Sequence, residues 1–229
     1  MIKIEISNKI LEVCPHFDFR AISCKVQNSD SNKKLWNEIK EFSDRFSKEY
    51  KMSDINKRPT ILATREVYKA LGKEPNRYRP AGEALCRRIV KGMGLYKIDT
   101  LVDLINLVSL KHGYSIGGFD ADKIDGNLVL GVGEANEPFD AIGRGLLNIE
   151  GMPVYRDNIG GIGTPSSDEE RTKISANTSH LLIIINGYAG TDGLDEAAEY
   201  TIELLKKYAD AQKIETSVFK QKSKSTIDI

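Results

Sequence analysis

Side chains able to do chemistry fall into a few short stretches of this chain. Asp120, Asp122 and Asp125 (DADKIDG, with Gly126) place three carboxylates close together. An EF-hand calcium loop needs ligands at alternate positions, glycine at the sixth and a bidentate glutamate at the twelfth. Here the sixth residue is Asp125 and the twelfth is Gly131, so a polar turn is expected. Cys14 and His16 flank Pro15 with no further ligand nearby, and no metal site and no cofactor are expected. His112 sits at a helix end, where a partial positive charge suits the dipole, and His180 precedes an apolar strand. No spacing ties either to a nucleophile, so structural roles are expected. Gly160, Gly161 and Gly163 (GGIGTPSS) lack the flanks of a dinucleotide loop and the lysine of a Walker-type loop. Two readings stay open there: a mobile loop, or a backbone surface that a ligand approaches closely because Cβ atoms are missing.

Charge is more informative in one place. Arg77, Arg79, Arg87, Arg88 and Lys91 crowd one segment, with Arg87 and Lys91 four apart on one helical face. Such a run is a solvated face or a set of phosphate contacts. Asp157, Asp168, Arg171 and Thr172 form a polar stretch between short strands, and Asn177, Thr178 and Ser179 suit a turn or a helix cap.

The whole chain sets limits on these groups. Its 229 residues carry 33 Lys plus Arg and 33 Asp plus Glu, a formal net charge of +0. That argues against coating nucleic acid through phosphate contacts alone, while leaving room for a local basic face. Hydrophobic residues make up 40%, enough for a sizeable core, yet no run of about eighteen apolar residues predicts a membrane span. Three cysteines, Cys14, Cys24 and Cys86, cannot all pair, and the start MIKIEISNKI lacks the pattern of a signal peptide. Reduced, buried thiols and a cytoplasmic location are expected.

The elements that must hold these groups follow from periodicity. Ile2, Ile4 and Ile6 alternate with polar residues as in a strand, and Phe19 to Gln27 reads as a second strand. Leu35, Trp36, Ile39, Phe42 and Phe46 recur at helical spacing between Asn32 and Tyr50. Pro59 suits the entry to a helix over Ile61 to Leu71, and Pro80 the first position of another that carries Glu83 and Ile89. Thr100 to His112 is apolar on most sides, with Thr100 and Asp103 at capping-box spacing. Short strands are expected at Leu128 to Val132, Pro153 to Tyr155 and Leu181 to Ile185, the last covered on both faces. A helix capped by Asp192 and a final strand, Glu215 to Phe219, would complete a right-handed strand–helix–strand crossover. The polar tail from Lys220 is expected to be mobile.

Four motifs in order carry a resemblance. They are Tyr78-Arg79-Pro80 with Glu83-Ala84-Leu85; Val102-Asp103-Leu104-Ile105-Asn106; Gly118-Phe119-Asp120 with Lys123; and Arg156-Asp157, Thr164, Ser167-Asp168, Arg171-Thr172 and Thr178. From about Pro59 to Leu205 the chain resembles stand-alone relatives of the editing module, the third and fourth B domains, of the phenylalanyl-tRNA synthetase beta subunit. The resemblance implies an α+β fold of three layers with a β-sandwich of unusual topology. It divides the chain into an N-terminal strand and helix extension (1–58), an editing-type module (59–219) and the tail (220–229).

In that family the module hydrolyses tyrosine wrongly attached to phenylalanine tRNA, with water held by backbone and polar groups. By the resemblance, Asn106, Gly117, Asp157, Gly160, Gly161, Thr172 and Thr178 would meet the substrate. Arg79, Arg87, Arg88 and Lys91 would contact tRNA, and Glu83, Asp120 and Arg171 would hold the loops. Two positions depart from the family. Gly117 stands where a histidine is usual, and the glutamate that reads the tyrosine hydroxyl falls near Ile183 or Ile184. A site that selects through a hydroxyl loses that selection when its partner is apolar. The expected function is a tRNA-related module that binds, and by one reading deacylates, a mischarged aminoacyl-tRNA. The alternative is a non-catalytic binder of an aromatic amino acid or similar metabolite.

Overall fold

A computed structural model describes residues 1–219; the tail expected to be mobile lies outside the described residues. The chain runs β1 (Ile4–Ile6), α1 (Asn8–Val13), β2 (Asp18–Lys25), α2 (Lys33–Glu49), α3 (Pro59–Ala70), α4 (Ala81–Val90), α5 (Thr100–His112), β3 (Ile116–Asp120), β4 (Leu128–Val132), β5 (Asp140–Ala141), β6 (Gly145–Leu146), β7 (Pro153–Arg156), β8 (Gly161–Gly163), β9 (His180–Gly187), α6 (Leu194–Tyr208) and β10 (Gln212–Val218). No helix among the described residues is long and apolar enough to cross a membrane.

The strands form two four-stranded sheets, in the orders β1-β4-β7-β8 and β10-β2-β9-β3, with β5-β6 as a small hairpin. The apolar run of β9 explains the layering. Successive strand side chains point to opposite faces. Leu181, Ile183 and Ile185 pack with Leu35 and Ile39 of α2, Leu101 and Leu104 of α5, and Leu194 and Leu205 of α6. Leu182 and Ile184 pack the other way, with Phe119, Leu128, Leu130, Tyr155 and Ile162. The result is helices on one sheet, and that sheet on a second: the three-layer α+β sandwich.

Strands β9 and β10 both run antiparallel to β2, so they are parallel to each other with β2 between them. The expected strand–helix–strand unit is therefore split by a strand from far earlier in the chain. Residues before Pro59 thus supply an internal strand of the sandwich as well as α2.

Several ends differ from expectation. The N-cap of α5 is Asp99, whose carboxylate accepts from Val102 N, not Thr100. Asp103 instead accepts from Ser31 Oγ, Trp36 Nε1 and Ile98 N, tying α5 to α2. Gly193, at φ 79, caps α6 in place of Asp192. Pro80 is the residue before α4, one earlier than expected. Strands β3 (IGGFD) and β8 (GIG) escape a reading by periodicity because glycine has low strand propensity and no side chain to show alternation.

Candidate functional site

The glycine-rich stretch is mostly ordered structure. Gly161–Gly163 forms β8, hydrogen-bonded to β7 and buried. A Cβ on Gly161 would meet the Phe139 ring at 3.0 Å, and one on Gly163 would meet the Phe119 ring at 2.6 Å. Aromatic rings, not open space, fill the room those glycines leave. Gly160 differs: a Cβ there would have nothing within 4 Å.

Asp157 shapes the turn before Gly160. Its carboxylate accepts from Asp125 N at 3.0 Å, Ile159 N at 3.0 Å and Gly160 N at 3.1 Å. Arg171 grips it with both arms, at 2.9 and 3.0 Å. Burial pulls the carboxyl upward, but the Arg171 fork and these N–H groups outweigh it and hold it below its ordinary value. With its oxygens bonded this way, Asp157 positions the Gly160 turn. Thr178 is spent likewise: its hydroxyl donates to Asp120 Oδ2 at 3.0 Å and accepts from Ser175 N at 2.9 Å. Asp120 also accepts from Asp122 N and faces Lys123, so it fixes the turn at Ala121–Lys123.

Other expected contacts remain unspent. Thr172 Oγ1 is buried without a hydrogen-bond partner, and Asn106 is half-buried on α5 with no side-chain hydrogen bond among the described residues. They do not meet Gly160 in one open cleft. Ile105 of α5 and Ile174 pack on the Gly118 side of β3, while Phe119 and Asp168 pack on the Gly117 side. Strand β3 and the 168–174 segment bridged to it at Phe119 and Lys173 separate the helix layer from the outer sheet.

Gly117 is the cross-strand partner of Ile184, and Gly118 of Ile183. A Cβ on Gly117 would meet the Phe119 ring at 2.7 Å. Both positions are apolar, and the space is core.

The group that stands out beside them is Asp168, which was not among the expected site residues. Its Oδ2 accepts from Gly118 N at 3.2 Å. Its Oδ1 lies 2.9 Å from where a Cβ on Gly163 would stand and has no hydrogen bond of its own among the described residues. The backbone is held by a bridge to Gly163 and by Ile142 N donating to Asp168 O. The residue keeps some exposed surface, yet the carboxyl is enclosed enough that burial pushes it up to about 7, against the Gly118 N–H. In the sequence it is marked by the polar run SSDEER and by its place in the fourth motif, Ser167-Asp168.

Among the basic residues, Arg65, Arg87 and Arg79 converge on Glu83, which is 0% exposed: 2.8, 2.7 and 3.6 Å from its carboxylate. Arg87 thereby turns toward Glu83, leaving Arg79 and Lys91 of the expected tRNA contacts exposed and Arg88 half-buried.

His180 lies between a serine and a carboxylate. Its Nε2 lies 3.1 Å from Ser23 Oγ and its Nδ1 3.1 Å from Asp122 Oδ1. This has the bond order of a serine hydrolase triad. The exposure is reversed, however: Ser23 is 6% exposed while the Asp122 side chain is 58% exposed. Ser23 also sits on β2, paired on both sides by β9 and β10. Held inside the sheet, Ser23 anchors His180, and the chain fastens the turn at Ala121–Lys123 to the sheet.

Residues 63–210 match the model of a family described as the B3/4 domain. None of the curated proteins matches the chain. Among solved structures, an N-terminal fragment of the phenylalanyl-tRNA synthetase beta-subunit from Pyrococcus horikoshii is similar at 14% identity and a TM-score of 0.49. The match covers 93% of this chain and 50% of that one, so the chain spans half of the fragment's length.

Proposed function

Because this chain belongs to the B3/4 domain family and is a relative of the phenylalanyl-tRNA synthetase beta-subunit module of that type, we propose that it is a tRNA-related module that hydrolyses a mischarged aminoacyl-tRNA in trans. The observation that carries this reading is Asp168, whose Oδ1 is unbonded beside the Gly117, Gly118 and Gly163 backbone. A carboxyl that titrates near 7 suits general-base work at neutral pH.

In this reading Asp168 takes a proton from water as the water oxygen attacks the ester carbonyl carbon. The bond between that carbon and the ribose oxygen breaks, and the ribose oxygen takes the proton. Free amino acid and uncharged tRNA result. Thr172, four residues on from Asp168, supplies an unspent hydroxyl. The Gly117–Ile184 pair carries no polar group, so the reading assigns no selection for a tyrosine hydroxyl.

The test is to incubate the purified protein with tyrosyl-, m-tyrosyl- and other mischarged tRNAs and follow ester loss. Loss above the protein-free rate is expected, falling by roughly 10²-fold or more in Asp168→Asn. No ester loss from any substrate, with no retention of tRNA at low salt, overturns the reading.

A second reading, a non-catalytic binder of an amino acid, draws on one observation. A cavity of about 580 Å³ is lined by Tyr50, Asp54, Lys57, Arg58, His112 and Tyr114 among others. It is large enough for a small metabolite and offers both charges and an aromatic face. A thermal-shift screen of amino acids tests it: stabilisation abolished by Lys57→Ala supports it, and no shift with any amino acid removes it.

A further inference from the structure

The loop after α4 differs from the rest of this neutral chain. From Ala84 to Ile98 the cations Arg87, Arg88, Lys91 and Lys97 occur with no acidic residue. Met93, Tyr96 and Ile98 are 57%, 61% and 58% exposed, although apolar and aromatic side chains of this size are usually covered.

The loop is shaped rather than loose. Gly92 and Gly94 take φ of 73 and 66, which lets the chain turn twice around Met93. Arg88 Nε donates to Gly94 O at 2.5 Å, and its guanidinium lies 3.7 Å from the Tyr96 ring centroid. That cation backs one face of the Tyr96 ring. Beside it, Lys97 reaches over the Trp36 ring at 5.9 Å. Two carboxylates follow the loop: Asp99, which caps α5 by accepting from Val102 N, and Asp103, which is 1% exposed and spent on Ser31, Trp36 and Ile98. Arg88, Lys91 and Lys97 outnumber Asp99 at the surface, so the loop stays positive.

An exposed aromatic ring backed by arginine, with lysines on either side, is the combination that holds unpaired nucleotides: bases stack on the ring and phosphates meet the cations. We infer that Arg88, Lys91, Tyr96 and Lys97 form a binding surface for a single-stranded RNA segment, a proposal that rests on the tRNA-related reading and assigns it a place. The placement suits that reading. The first turn of α4 is tied to the Asp168 segment, with Ala81 N donating to Pro165 O and Ser166 Oγ donating to Arg79 O. The loop lies at the other end of this 10-residue helix, about 15 Å away. A tRNA held at Tyr96 by unpaired nucleotides is thus one helix length from Asp168.

The experiment is fluorescence anisotropy of the full chain with a labelled seven-nucleotide single-stranded RNA, and with an RNA duplex of the same composition. Single-stranded RNA is expected to bind more tightly than duplex. Tyr96→Ala is expected to weaken it roughly tenfold or more, while Tyr96→Phe keeps it, because the ring is what stacks. Removing Lys91 and Lys97 together is expected to lower the salt slope by about 1.4, at about 0.7 for each phosphate contact to a single strand. Thermal unfolding confirms that the variants, all at exposed positions, fold.

Tyr96→Ala binding within twofold of the parent overturns the inference. Duplex bound as tightly as single strand does so too, as does a parent dimer that Tyr96→Ala converts to monomer, since the patch would then be covered by a second copy. Asp168→Asn separates this inference from the hydrolysis reading. If no ester is hydrolysed yet RNA binding follows Tyr96, the surface stands and the hydrolase reading falls. If ester is hydrolysed and Tyr96→Ala changes nothing, only the surface falls.

Discussion

Gly117 and Ile184 are direct partners across the β3–β9 ladder, on the side of the sheet that closes against the outer sheet. Residues 67 positions apart in the chain (184 minus 117) thus meet at one point, and neither brings a polar side chain that would need a partner once buried. The Phe119 ring fills the space above Gly117.

That packing predicts how glycines there respond to a methyl group. Gly163→Ala would place its Cβ 2.6 Å from the Phe119 ring and 2.9 Å from Asp168 Oδ1, and is expected to lose about 1–3 kcal/mol of stability. Gly160→Ala, with nothing within 4 Å and no positive φ, is expected to stay within about 0.5 kcal/mol of the parent. Urea unfolding of the two variants compares them directly; equal midpoints would show that Phe119 simply moves aside.

Arg171→Ala would leave the Asp157 carboxylate, 0% exposed, with only its backbone donors. A loss of about 2 kcal/mol is expected, below the usual figure for a broken buried pair because those N–H groups remain. Amide exchange at Ile159 and Gly160 should quicken in the same variant. Unchanged exchange there would show that the turn holds without the ion pair.

Asp168 predicts a pH effect. Its folded value is raised, to about 7, so the folded state binds a proton that the unfolded chain, at an ordinary carboxyl value, has lost. Its contribution to stability is complete below the ordinary carboxyl range and is lost as pH rises through 7. Asp168→Asn is therefore expected to be neutral near pH 4 and to stabilise the protein by about 1–2 kcal/mol at pH 8, the lower part of the range because the residue keeps some solvent contact. Chemical denaturation at both pH values checks it, and stabilisation equal at both would contradict the titration.

His112 predicts the opposite sign. Burial, helped by Lys111 and Arg58 and opposed by Glu196, lowers it to about 4, and its Nε2 is buried without a partner. The unfolded chain takes up the proton first, so stability is present above about 6.5 and is lost as pH falls toward 4. His112→Gln is expected to flatten the acid limb of a pH–stability curve between those values. An unaltered limb would place the acid sensitivity elsewhere.

How much of this was legible in advance can be said element by element. Helices α2 and α5 and strand β9 are written in the spacing of Leu35, Ile39 and Phe46, of Leu101, Leu104 and Val108, and of the Leu181–Ile185 run. Asp120 and Arg171 bind loop segments and Glu83 gathers three arginines, contacts that short-range spacing does not reveal except for Arg79 and Arg87, four residues either side of Glu83. Strands β3 and β8 were hidden by their glycines. In sequence, a polar loop side chain such as that of Asp157 or Thr178 looks the same whether its partner is a ligand or a backbone N–H.

By itself the sequence determined helices such as α2 and α5, the two-sided burial of β9 and the family, since each is recorded in residues close to one another or in motif order. Tertiary structure alone decided which groups lose water and which neighbours they find. Asp168 meets Gly118 across 50 positions and Ser23 meets His180 across 157. Arg87 turns inward to Glu83 while Arg88 backs Tyr96, although the two arginines are adjacent. Desolvation and partner choice depend on what packs around a side chain, and for these groups the chain brings that packing from a distance that periodicity does not reach.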